Sequence, residues 1–189
     1  MTEDKIKNLP DILKNHICTL KKSSFDDCNS INMCESSLKV VDFDKIPNEY
    51  SRGKGWANVP KSNDALYIND NGWYFVEFKN GSIDKSEIYR KLYDSVIILI
   101  SLNIIPNMEF VRTKIEYILV YNSNKYPKIQ DSQSRSNTFS FILERAKIEE
   151  KLFDIDKFEK YIFKATHTYS KEEFTEKFIK LMEKNEGIA

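Results

Sequence analysis

Glycine and proline are scarce, five of each in 189 residues, which excludes a collagen-like repeat and a low-complexity, linker-rich chain. Cysteine is scarcer still. Cys18, Cys28 and Cys34 form no C-x-x-C pair and leave one over, against both a secreted disulfide framework and a zinc site and in favour of a reducing compartment. The longest aliphatic run, Val96 to Ile100, is far short of the ~20 residues a membrane span needs. The polar start Met1-Thr2-Glu3-Asp4 has no apolar signal core, so a cytoplasmic protein without a membrane partner is expected. Neither charge sign prevails, with 29 Lys and Arg against 29 Asp and Glu. That excludes a histone-like coat and an acidic tail protein, so any polyanion contact must come from a local patch.

Aromatics at 13% and charged residues at 31% describe a folded domain. A chain of this length buries roughly 70% of its unfolded surface without staples. One domain over residues 1–189 is expected, with a core at about 4–122 and an extension at about 123–189. Ile6, Leu9, Leu13, Ile17 and Leu20 recur at three- and four-residue steps and predict an amphipathic helix over residues 4–22, weakened by Pro10. Residues 23–36 are polar and turn-rich, Leu38–Phe43 predicts a strand, and residues 44–63 predict a loop. Ala65–Ile68 and Trp73–Lys79 flank Asn69-Asp70-Asn71-Gly72, a hairpin pattern. Asp84 with Glu87 reads as a capping box opening a helix to about Leu102, with Ile88, Leu92, Val96 and Leu99 as its buried stripe.

Ile115–Tyr121 (IEYILVY) is the strongest strand signal. Such a run belongs in the middle of a sheet covered on both faces, with Glu116 near a strand end or paired to a base. Beyond it come a predicted helix over 138–151, a strand over 161–167 and a final helix capped by Ser170 and Glu173, carrying Phe174, Phe178 and Leu181. The order is α-β-β-β-α-β followed by α-β-α, an α/β domain.

The chemistry concentrates in Asp64 (KSNDALYI) and in Glu77 and Lys79 (WYFVEFKNG). Residues two apart on a strand share a face, so Glu77 and Lys79 point together and Phe78 points away. Burying a carboxylate beside an ammonium is costly, and a site that binds both an anion and a cation accounts for it. Asp64 and Glu77 are hard oxygen donors of the kind Mg²⁺ takes in ones and twos, with water and phosphate completing the octahedron. Glu-x-Lys alone is a weak signal, because a paired surface strand gives the same letters.

Together these residues resemble the PD-(D/E)XK nuclease superfamily. Asp64 matches its Asp at the start of a central strand, Glu77-Phe78-Lys79 matches E-x-K on the hairpin partner, and Lys91 in EIYRKLYDS sits where members often carry a Lys or Gln on the following helix. The resemblance covers roughly residues 4–122. Asn63 stands where the motif has proline, and Glu3 is too near the start to match the first-helix glutamate of some members, leaving Glu35 or Glu49 for that place. The resemblance implies a restriction-endonuclease-like core and a nuclease acting on nucleic acid, DNA above all. It further implies Mg²⁺ or Mn²⁺ held by Asp64, Glu77 and the Phe78 carbonyl, with Lys79 positioning the attacking water, Lys91 supporting the site and a 5′-phosphate left on the product.

Around this centre, Arg52, Lys54 and Lys61 are candidate phosphate contacts, although Arg52-Gly53-Lys54-Gly55 lacks phosphate-loop spacing. Residues 112–147 carry seven Lys and Arg against three acids, a local excess that makes Arg135 in DSQSRSN a candidate backbone reader. Trp56 and Trp73 suit base stacking or ordinary packing. His16 and His167 have no metal-ligand spacing around them. Another class of function fits the same letters: a non-catalytic interaction, immunity or accessory protein that binds a protein partner or a second copy of itself. Overall neutrality favours that class, and retention of Asp, Glu and Lys together favours the enzyme.

Overall fold

A computed structural model describes residues 1–125 and 152–188. Its frame is a six-stranded mixed sheet in an α/β chain. The strands of this sheet are β1 (Ile17–Thr19), β4 (Lys39–Asp42), β5 (Ala65–Ile68), β6 (Trp73–Lys79), β7 (Ile115–Tyr121) and β8 (Ala165–Ser170), side by side in that order. The pairs from β1 to β6 are antiparallel, and β6/β7 and β7/β8 are parallel. A separate hairpin of β2 (Phe25–Asp26) and β3 (Ile31–Asn32) lies between β1 and β4 in sequence.

The β5/β6 hairpin forms as its sequence predicts. Asn69 Oδ1 accepts the backbone N–H groups of Asn71 and Gly72 at 2.9 and 3.0 Å, an Asx turn that closes the connection. Gly72 lets the chain pass close to β7's approach, where a Cβ would lie 3.1 Å from the Lys114 carbonyl oxygen and crowd it. Parallel pairing of β6 with β7 needs a crossover, supplied by α5 (Lys85–Ser101) and α6 (Met108–Lys114). Helix α5 buries Ile88, Leu92, Val96 and Leu99 as predicted, together with Ser95 and Ile98. Asp84 caps it by accepting the Ser86 N–H at 2.8 Å, while Glu87 turns to Lys79 instead of completing a box.

Strand β7 is buried along its length except at Glu116, which pairs with Lys164 at 2.6 Å and His167 at 3.3 Å. It lies between two parallel neighbours, as its composition requires. Ile118→Ala in this strand should lower unfolding free energy by about 3 kcal/mol, read from urea denaturation. A loss near zero would place β7 outside the core.

Besides the Asp84 and Glu87 box, three sequence expectations are corrected. Residues 4–22 form no single helix but α1 (Glu3–Lys7), α2 (Asp11–Lys14), β1 and α3 (Leu20–Ser23). Pro10, with no N–H to give, stands at the N-cap of α2, and β1 takes the sheet edge beside β4. The spacing of leucines still tells burial, since Leu13 and Leu20 are fully buried. The predicted loop over 44–63 holds a 3₁₀ turn (Phe43–Lys45) and helix α4 (Ile46–Lys54). Its proline and glycine are boundary signals: Pro47 sits in the first turn and Gly55 closes the end at φ +69°. The strand predicted over 161–167 lies at Ala165–Ser170. At the C-terminal end, Ser170 and Glu173 form the predicted capping box of α7 (Lys171–Phe174), which runs through a π turn (Thr175–Ile179) into α8 (Lys180–Glu186). The helix predicted over 138–151 lies outside the described residues.

Candidate metal and catalytic site

The site is built where β5 begins and β6 ends. Asp64, just before β5, is anchored through its backbone: its carbonyl accepts the Phe43 N–H at 3.0 Å and the Ser23 hydroxyl at 2.9 Å. Its side chain reaches across the hairpin, and Oδ2 accepts the Phe78 N–H at 2.6 Å. Strand alternation sets the rest. Phe78 packs edge-on against the Phe174 ring at 5.7 Å, while Glu77 and Lys79 meet, Lys79 Nζ lying 3.3 Å from Glu77 Oε1 and 3.4 Å from Glu87 Oε1. Lys91, two turns into α5, places Nζ 3.0 Å from Asp64 Oδ1 and 2.8 Å from Glu77 Oε1.

All four predicted centre residues therefore come together, with Glu77 at 0% exposure and the side chains of Lys91, Asp64 and Lys79 at 12%, 14% and 15%. Glu77 Oε2 is buried with no hydrogen-bond partner among the described residues, as is the hydroxyl of Tyr117 on β7. Burial first, and then the neighbouring Asp64 charge, pushes the Glu77 carboxyl up to about 8. Burial works against the charge of Lys91, but Glu77 and Asp64 outweigh it and hold the ammonium protonated above its ordinary range. One ammonium faces two carboxylates, so the fully buried Glu77 is held in its neutral form to a higher pH than an ordinary glutamate.

A carboxylate that sequence reasoning missed, Asp44, belongs to the same cluster. The Ser62 hydroxyl donates to its Oδ1 at 2.9 Å, and burial followed by the Asp64 charge raises its titration. The signal was available in the pairing. In an antiparallel β4/β5 pair with Asp42 opposite Ala65, the residues just past the end of β4 meet those just before β5. The three glutamates considered for a further carboxylate lie elsewhere: Glu49 pairs with His16, Glu35 with Lys21, and Glu3 is exposed in α1.

A cleft of about 390 Å³ opens beside Asp64, lined among others by Asp26, Asp27, Asp44, Phe78 and Lys79. The β2/β3 hairpin forms one wall, tied down by Asn80 Nδ2, which donates to Asp26 Oδ2 at 2.7 Å. Arg52 and Lys54 lie in the last turn of α4, and Lys61 donates its backbone N–H to Asp94 at 2.9 Å. None of the three lines this cleft. Arg135 and DSQSRSN lie outside the described residues. Trp73 packs edge-on against Phe110, and the exposed Trp56 against Tyr50.

Among the described residues, no group of three or more His, Cys, Asp or Glu is gathered to hold a metal. The donors at the centre are two carboxylates, the number Mg²⁺ uses when water and phosphate supply the remaining ligands. An unpartnered Glu77 oxygen and a cation already seated between Glu77 and Asp64 both fit that set.

The titration of Glu77 has a measurable consequence. An unfolded glutamate titrates near 4.5 and Glu77 in the fold near 8, so between these pH values the folded state holds the proton and the unfolded state does not. The contribution of Glu77 to stability is greatest below pH 4.5 and falls as pH rises to 8. That of Lys91 stays constant over this range, because its shift acts only above its ordinary alkaline titration. A divalent cation needs the deprotonated carboxylate. A Mn²⁺ ion held by Glu77 would therefore stabilise the wild type more at pH 8.5 than at pH 6. A metal-free melting curve that moves with pH equally in Glu77→Gln would assign the effect elsewhere.

Comparison with family models, with curated proteins and with solved structures finds no match to this chain. Among the described residues no helix is long and apolar enough to cross a membrane.

Proposed function

We propose that the chain is a divalent-metal-dependent nuclease of the PD-(D/E)XK type, hydrolysing phosphodiester bonds in nucleic acid, DNA above all. The observation that carries this reading is the meeting of Asp64, Glu77, Lys79 and Lys91 in one cluster, from which Asp64 and Lys79 line the cleft. The strand pattern supports it, with three antiparallel strands, a helical crossover and a parallel strand in the order the sequence resemblance implies.

Asp64 and Glu77 are the residues that would hold Mg²⁺ or Mn²⁺, with the Phe78 carbonyl as a third donor from the same strand end. The cation would supply Lewis-acid polarisation of the phosphoryl oxygens and neutralise charge developing there. Lys79, held between Glu77 and Glu87 at the cleft wall, orients the attacking water and offers its ammonium to the charge that grows on phosphorus. Asp64 does double duty, because accepting the Phe78 N–H fixes the strand end that presents Glu77 and Lys79.

One observation favours a second reading, that of an interaction protein. The cleft wall sets Asp26, Asp27, Asp44 and Asp64 against Lys79, a lining that attracts a basic protein segment and repels a polyanion unless cations are bound. Incubation with plasmid and single-stranded DNA in Mg²⁺, Mn²⁺ or EDTA separates the two. Metal-dependent loss of either substrate supports the nuclease, and a folded protein that leaves both intact in every metal supports the interaction protein.

A further inference from the structure

We propose that Lys91 is the resident counter-ion of the metal site, displaced when a divalent cation enters, and that Asp44 is the positioning carboxylate that receives the displaced ammonium. The inference rests on the metal-site reading above and concerns binding, not cleavage.

The geometry is that of a cation already in place. Lys91 Nζ touches one oxygen of Asp64 and one of Glu77, at 3.0 and 2.8 Å. These are the two carboxylates that would hold the metal. Three positive charges, two on a divalent ion and one on the ammonium, cannot share that space without strong repulsion in a poorly hydrated site. Lys91 cannot leave as a bare ion either. Its side chain is only 12% exposed, and an ammonium displaced into the interior must find another anion.

Asp44 is that anion. It lies just past the end of β4, which pairs with β5 at Asp42 and Ala65, and it lines the same cleft as Asp64; its charge and that of Lys91 act on each other there. Among the described residues Ser62 alone donates to its side chain, at Oδ1, which leaves Oδ2 free to accept. A lysine has four side-chain torsions, so Nζ moves between anions without moving α5. Asp64 and Glu77 are thus held together by the same group that must step aside, and the acidic cluster of Asp44, Asp64 and Glu77 keeps one monovalent charge in reserve. The role gives a partner to a carboxylate that, among the described residues, pairs with neither Lys91 nor any other base.

Mn²⁺ titration followed by calorimetry, together with melting curves in EDTA and in Mn²⁺, tests this in four proteins: wild type, Lys91→Met, Asp44→Asn and the double variant. Lys91→Met should bind Mn²⁺ at least about tenfold tighter, since the competing charge is gone. It should also melt below wild type in EDTA, with Mn²⁺ restoring most of the difference. Asp44→Asn should bind Mn²⁺ about threefold to tenfold more weakly, and this loss should vanish when Lys91 is already Met, the coupling a double-mutant cycle reads.

Unchanged or weaker Mn²⁺ binding by Lys91→Met overturns the displacement. A loss from Asp44→Asn of equal size in both backgrounds overturns the receiving role, because Asp44 would then act on the cation directly. If Lys91→Met does not fold in EDTA or Mn²⁺, Lys91→Gln, which keeps a neutral donor, carries the same expectations. No binding by any of the four overturns both this proposal and the metal site, whereas tight binding without DNA cleavage overturns only the nuclease.

Discussion

Lys79→Met should cleave DNA about 10²–10³-fold more slowly than wild type, the usual cost of removing one group that stabilises transition-state charge. Its melting temperature should nevertheless stay within about 3 °C, because the substitution costs under ~1 kcal/mol. The two effects separate because the side chain has two jobs. Its aliphatic stem fills the end of β6, which methionine also does. Its ammonium adds little to the fold, since Glu77 already has Lys91 at 2.8 Å and Glu87 is partly exposed at 3.4 Å. Initial rates of plasmid nicking at matched folded fraction read the first effect, and circular dichroism melts the second. Cleavage equal to wild type would remove Lys79 from the chemistry and leave Glu77-Phe78-Lys79 a structural strand end.

Asp64→Ala should do the reverse of separating activity from stability. Cleavage should fall below detection and stabilisation by Mn²⁺ should disappear, because one of two carboxylate donors is gone. Stability should drop by about 1–3 kcal/mol, because the Phe78 N–H loses its 2.6 Å acceptor and Lys91 loses one of its two anions. Asp64→Asn offers the control. Its amide oxygen still accepts from Phe78, so most of the stability should return while metal binding does not. Urea denaturation with and without millimolar Mn²⁺ distinguishes the two variants. An Asp64→Ala protein that Mn²⁺ still stabilises as much as wild type would place the cation elsewhere.

How far the sequence reaches is clear from particular elements. The hairpin of β5 and β6, helix α5 and strand β7 were legible because hydrophobic period, turn residues and cap residues agree there. The centre followed from them, since alternation along β6 and one helical face of α5 suffice to aim Glu77, Lys79 and Lys91 at Asp64. The N-terminal third was not legible in the same way. Leu13 and Leu20 keep helical spacing but sit in different short elements, because Pro10 breaks the chain and β1 gains ladder bonds to β4 that no local pattern announces. In α4, Pro47 and Gly55 read as loop residues although they mark a helix start and stop. Asp44 was missed for the same non-local reason, as its role depends on which strand β4 pairs with. Arg52, Lys54 and Lys61 were chosen by charge and nearness in sequence, and the fold puts Arg52 and Lys54 in the last turn of α4, outside the cleft lining.

The central claim is that Asp64 and Glu77 together hold a divalent cation, and calorimetric titration of the purified protein with Mn²⁺ at pH 8 tests it most directly. One saturable site per chain is the expected result in wild type, with binding lost in Asp64→Ala and in Glu77→Ala and retained in Lys79→Met. No heat of binding at millimolar Mn²⁺ in folded wild type, or a site that survives both carboxylate substitutions, would contradict it.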